Sequence, residues 1–123
     1  MSNHTYQTKK YVIYIYINLC SPTLKSYVGV TNDFHRRNKK HKSDSKNPKY
    51  YFHKSIYRYG WENFLCFILE ETDDVDYAYK LLEPYYIKLC RSFHKDNGYN
   101  LTLGGEGPAG LIHDKKKTAR KNS

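Results

Sequence analysis

YIYINLCSPTLKSYVGVTNDFHRRNKKH, Tyr14 to His41, decides how the rest of this 123-residue chain is read. Its front belongs to the run YVIYIYI (Tyr11–Ile17), β-branched or aromatic at every position, which is the composition of a buried strand. Asn18–Lys25 contains Ser21-Pro22-Thr23 and reads as a hairpin loop, after which Ser26–Val30 returns as a second strand. Gly29 near its end permits a close backbone approach. The segment VTNDFHRRNKKH then predicts a helix to about Lys42, capped by Asn32 or Asp33. Its i, i+3, i+4, i+7 stripe is Phe34, Arg37, Asn38 and His41, the positions that normally face a core. Phe34 suits such a stripe. An inward Arg37 or His41 is costly unless paired, so this helix is either a basic surface helix or one that carries a buried polar site.

Outward from that stretch, the totals narrow the classes. The formal charge is +9, and it is unevenly spread. Residues 1–49 hold ten Lys/Arg against two acids, residues 50–110 six against nine, and residues 111–123 five against one. A basic first half and basic tail around a mildly acidic middle indicate a polyanion-binding face. Lys25, Arg36, Lys39 and Lys40, and Lys115, Lys116 and Lys117 in the tail, are the candidate contacts. Cys20, Cys66 and Cys90 are odd in number and far apart, which argues against a disulfide framework, a disulfide-linked partner or a closed zinc site. They read as thiols of a reducing compartment. No apolar run reaches membrane-spanning length and SNHTYQTKK lacks a signal peptide's hydrophobic region, so an intracellular, soluble protein is expected.

One domain is expected at this length, over residues 11–105, with a flexible N-terminus at 1–10 and a Gly-rich linker and basic tail at 106–123. Asn47-Pro48 reads as the start of a second helix that buries Phe52 and Ile56 and stops at Gly60. Trp61-Glu62-Asn63-Phe64 begins a third strand that continues as LCFILEE, whose continuous apolar character predicts a central strand covered on both faces. Thr72-Asp73-Asp74 caps a third helix with Val75, Ala78, Leu82, Tyr85 and Leu89 as its inner face. Pro84 interrupts that pattern and predicts a bend beside Glu83. Asn97-Gly98 is a turn, and Tyr99–Leu103 a short extended segment.

Val12-Ile13-Tyr14, Tyr27-Val28-Gly29, Arg37 ten residues after Tyr27, His41 four beyond that, Glu83 in LEPYYIK and Asn100 at the end of NGYN together resemble the signature of the GIY-YIG nucleases. The resemblance covers about Tyr11 to Gly105, and these elements together in order and spacing are far more specific than any one. Val12 departs from the glycine usual in the first motif, which bears on how closely the Tyr14 strand packs. The resemblance implies an α/β fold with a small, mainly antiparallel three-stranded sheet flanked by helices. It also implies hydrolysis of DNA phosphodiester bonds with one divalent ion, Mg²⁺ or Mn²⁺, held by Glu83.

A single protein carboxylate leaves the rest of such an ion's shell to water and phosphate, which Mg²⁺ accepts. Arg37 would grip the scissile phosphate with its planar fork, Arg36 facing outward to a neighbouring phosphate. Tyr14 and Tyr27 would flank the attacking water, Tyr14 as general base, directly or by orienting water. A phenol's pKa near 10 would then need lowering by Arg37, the metal, His41 and Lys25. His41 would relay a proton or bond the phosphate, and Asn100 would orient the Glu83 carboxylate or a water. The expected protein is a homing-type or mobile-element endonuclease. The alternatives are a structure-specific repair or recombination nuclease and a basic nucleic-acid-binding module that cuts nothing.

Overall fold

A computed structural model describes residues 10–106. The terminal basic residues, Lys115 to Lys117 among them, and the expected flexible start lie outside the described residues. Three strands, β1 (Tyr11–Asn18), β2 (Ser26–Thr31) and β3 (Phe64–Thr72), form one antiparallel sheet in the order β2-β1-β3. Helices α1 (Phe34–Asp44) and α2 (Tyr51–Tyr59) precede β3. A π-helical turn (Tyr77–Leu82) follows it and runs directly into α3 (Glu83–Cys90). The expected fold class is therefore the observed one.

β1 is buried on both faces because its neighbours come from two layers. Ile13 and Ile15 join Val28, Val30, Ala78, Leu82 and Ile87 in an aliphatic layer under the third helix. Val12, Tyr14 and Tyr16 join Phe52, Ile56 and Tyr99 in an aromatic layer under α1 and α2. A side chain such as Ile13, wholly enclosed, contributes about 2 kcal/mol by leaving water. The central strand is thus β1, not the third strand as its apolar run predicts. β3 is an edge strand that leaves Leu65, Phe67 and Ile68 substantially exposed, and its register with β1 shifts between Ile13 and Tyr14. Continuous apolar sequence marked both strands, and only pairing order separates them.

Two helix boundaries also differ from the sequence reading. The backbone N–H groups of Ser45, Lys46 and Asn47 are spent closing turns onto His41, Ser43 and Asp44. α2 consequently begins at Tyr51, with Tyr50 rather than Asn47 at its cap. At Pro84 the helix widens instead of simply bending. The Glu83 N–H reaches back five residues to the Ala78 carbonyl, in a stretch where proline's ring would crowd a regular α-turn. The extra residue rotates the following face. Ala78 and Leu82 are inward as predicted, but Ile87 replaces Tyr85 and Leu89, which stand in solvent.

Candidate active site

α1 positions the first side chains as its stripe requires. The Asp33 carboxylate caps the helix by accepting the Arg36 N–H. Arg36, Lys39 and Lys40 then point outward, Phe34, Arg37 and Asn38 are half-buried, and His41 is buried. Lys40 is paired with Asp44 at 3.3 Å on the surface. Arg37 also borders a concavity of about 240 Å³ with Arg36 and Lys40. The Tyr14, Tyr27 and Tyr79 phenols act on its guanidinium, Tyr14 by a hydrogen bond as well as by charge.

Tyr14 lies directly across β1–β2 from Gly29 and folds its ring over it. A Cβ at position 29 would stand 2.3 Å from the Tyr14 hydroxyl and ring, so this approach is what requires glycine in Tyr-Val-Gly. The hydroxyl is completely enclosed, with 0% of Tyr14 exposed, and bonds His41 Nε2 at 2.9 Å. His41 Nδ1 in turn meets His53 Nε2 at 2.9 Å. Burial raises the Tyr14 pKa well above 10, outweighing the adjacent Arg37. Burial likewise pushes His41 down to about 3, with His53 and Arg37 adding to the effect. A protonated phenol donates, so His41 accepts at Nε2 and its Nδ1–H donates to His53. Arg37 alone does not bring the expected lowering of Tyr14, because dehydration exceeds what one guanidinium supplies. No bulk water touches this hydroxyl, and it hydrogen-bonds the His41 ring.

Tyr27 is the phenol that opens on the cleft. That cleft, about 270 Å³, has Tyr27, His41, Phe52, His53, Glu83, Tyr99 and Asn100 in its lining. Its ring stacks on Phe52 at 4.3 Å and 6°. The Tyr27 pKa is raised by burial first and by the Glu83 charge next, with Arg37 opposing. Tyr27 thus lies within the fields of both the guanidinium and the carboxylate. Lys25 does not serve it, since its ammonium bonds the Tyr51 hydroxyl instead.

Glu83 opens α3 and is mostly buried. Burial pushes its pKa up to about 7, the Gly105 backbone N–H opposes by bonding the carboxylate, and Glu106 adds to the rise. The backbone folds back here through Gly104 (φ 79°) and Gly105 (φ 88°). A Cβ on Gly104 would lie 3.1 Å from Glu83 Cγ. A dehydrated carboxylate with no cationic side chain beside it suits a divalent ion. No cluster of three or more His, Cys, Asp or Glu able to hold a metal occurs among the described residues. Glu83 would be the residue to hold such an ion, with water and phosphate oxygens for the remainder of its shell.

Asn100 departs from its expected role. Its amide accepts the Val28 N–H at 2.9 Å and donates to the Val28 carbonyl at 2.8 Å. Both ends are committed to β2, so Asn100 fixes the backbone beside Tyr27 rather than orienting Glu83. Sequence reasoning missed two participants. His53 was detectable, since it lies beside Phe52 and three residues before Ile56 on the buried side of a predicted helix. Tyr79, four residues before Glu83, feels both Arg37 and Glu83 from the π-helical turn.

The model of the GIY-YIG catalytic domain matches residues 10–100. Among solved structures, the chain is similar to the catalytic domain of intron endonuclease I-TevI, determined as a glutamate-to-alanine variant. The two are 32% identical, the match covers 76% of this chain and 94% of that one, and the TM-score is 0.63. No curated sequence matches the chain.

Proposed function

The chain belongs to the GIY-YIG family and is a nuclease, and from that premise we propose that it is a divalent-metal-dependent DNA endonuclease of the homing type. The observation that carries this reading is the convergence on Tyr27, which lines one cleft with Glu83 and feels the charges of both the Glu83 carboxylate and the Arg37 guanidinium. Glu83 would hold one Mg²⁺ or Mn²⁺, which when bound supplies charge neutralisation at the departing oxygen. Arg37 holds the scissile phosphate and stabilises the charge that gathers on it in the transition state. Tyr27 orients the attacking water from the cleft wall. The hydrogen-bonded series Tyr14, His41, His53 stands behind that wall and holds His41 neutral and in one tautomer. Likeness to an intron endonuclease supports the homing reading. The free thiols of Cys20, Cys66 and Cys90 support an intracellular setting.

The test is nicking of supercoiled plasmid by the full chain with Mg²⁺, with EDTA, and by Glu83→Ala and Arg37→Ala. Cleavage is expected only for the unaltered chain with metal, while Glu83→Ala still binds DNA. Undiminished cutting by Glu83→Ala would refute the metal assignment.

A further inference from the structure

A second concavity, about 330 Å³, adjoins the catalytic cleft and shares Tyr51 and Tyr99 with it. Its chemistry differs from the cleft's. Tyr51, Lys54 and Arg58 lie at i, i+3 and i+7 on α2, one stripe of the helix. Lys25 faces them from the loop between β1 and β2, and Tyr59 and Tyr99 complete the lining. The Lys25 ammonium bonds the Tyr51 hydroxyl and lies 5.2 Å from the Tyr51 ring centre and 6.0 Å from that of Tyr99. The Arg58 guanidinium lies 5.2 Å from the ring centre of Tyr59. No acidic side chain lines the concavity, and among the described residues none of its three cations is in an ion pair.

That concentration is not a by-product of overall charge. Residues 50–110 carry only six Lys/Arg against nine acids, yet two of the six stand one helical turn apart here. Three cations without acids call for an anion. Tyrosine rings beside them call for a flat or sugar-bearing neighbour of that anion, as in single-strand binding grooves. The shared wall with the cleft makes the ligand continuous with whatever is cut there.

We infer that this concavity is a nucleotide subsite for the substrate strand flanking the cut, with a phosphate on Lys54 and Arg58 and the adjoining sugar and base against Tyr51 and Tyr59. The inference rests on the nuclease reading of the neighbouring cleft and extends it: the DNA path continues over α2, in addition to the basic face of α1. Lys25, anchored by Tyr51, keeps the aromatic wall in place and adds a third positive charge.

The experiment measures binding of the full chain to a 30-base-pair duplex in EDTA, by fluorescence anisotropy across a salt series. Lys54→Gln/Arg58→Gln is compared with Lys88→Gln/Lys95→Gln, which removes the same charge from exposed positions outside the concavity. Each phosphate contact contributes roughly 0.9 to the slope of log affinity against log salt. The first variant is expected to lose about one contact's worth of slope, roughly 0.9, and at least tenfold in affinity at 0.1 M salt. The second should match the unaltered chain. In a parallel arm, DNA carrying 5-iododeoxyuridine is photo-crosslinked to the unaltered chain, with Tyr51 or Tyr59 expected in the adduct, and thymidine monophosphate and inorganic phosphate are added as competitors. Equal slopes for the two variants, with adducts only elsewhere, would overturn the subsite. Efficient competition by the free monophosphates at concentrations near the protein's would overturn its assignment to a DNA strand. Because binding is read without metal, loss of binding in the first variant with no cleavage by any form would leave the subsite standing and remove the nuclease reading.

Discussion

Replacing Glu83 by glutamine should change how stability depends on pH, and the direction follows from where the carboxylate sits. In the unfolded chain this group titrates near its ordinary 4.5, while burial in the folded protein pushes it up to about 7. A folded-state pKa above the unfolded one means that the fold binds the proton more tightly. The stabilisation is therefore complete below 4.5 and is lost as pH rises through 7. Complete dehydration at these values would amount to roughly 3 kcal/mol, and incomplete enclosure brings the expectation to about 2 kcal/mol. His41 and His53 are both held below the ordinary histidine value, so they act in the opposite sense, favouring the fold as pH rises. Subtracting the Glu83→Gln profile removes their share, since glutamine keeps the shape and an oxygen for the Gly105 N–H. Urea unfolding in EDTA at pH 5 to 8 should show the unaltered chain losing about 2 kcal/mol relative to the variant. Mg²⁺ at ten times its Kd should then restore about 1.4 kcal/mol at pH 8, in the unaltered chain alone. Its apparent affinity should fall about tenfold from pH 8 to pH 6, because only the carboxylate form binds. Parallel pH profiles for the two proteins, or equal stabilisation of both by Mg²⁺, would refute the reasoning.

Arg37→Lys keeps the charge but loses the fork, so plasmid nicking should fall by about 10²- to 10³-fold while the Kd for DNA changes less than threefold; a variant that cuts normally would move the phosphate grip elsewhere. Gly29→Ala should cost about 1–3 kcal/mol in urea unfolding, because its Cβ would need the space of the Tyr14 ring. The same variant should loosen the bond from Tyr14 to His41 and slow cleavage, read as a lower kcat at unchanged KM. His53→Ala removes one of the influences holding His41 low, so the His41 pKa, followed by NMR, should rise from about 3. The acidic limb of the cleavage profile should move to higher pH with it, and an unmoved His41 resonance would show that the two rings do not communicate.

What was legible in the sequence follows from which physics is local. Phe34, Arg37, Asn38 and His41 share a face because helical spacing alone sets it, and Asp33 caps because the next turn needs an acceptor. Strand order was not local. β1 and β3 are both apolar runs, and only the connection through two helices sends β3 to the edge. The π-helical turn was half visible, since Pro84 announced an irregularity without saying that an extra residue would swing Ile87 inward in place of Leu89. The enclosure of Tyr14 was hidden for a similar reason: its partners Gly29, His41 and Arg37 come from other elements, and a motif names residues without naming which of them meets water.

The remaining question is why an acid from one layer meets phenols and imidazoles from the other. Glu83 leaves the helix of the aliphatic layer, whereas Tyr14, His41 and Phe52 belong with the aromatic layer. The sheet separates them except at its edges, and Tyr27 sits on β2, one of the two edge strands. The segment after α3 closes that edge. Its Gly98 pairs with Ser26, and a Cβ there would strike the Ser92 backbone at 2.1 Å, so only glycine passes. Asn100 then engages both polar groups of Val28, and Gly104 and Gly105 reach the Glu83 carboxylate. One short run of chain thus holds the strand that carries Tyr27 and the acid that faces it. Shortening this run is expected to separate Tyr27 from Glu83 before it unfolds the sheet, so that nicking falls at unchanged stability.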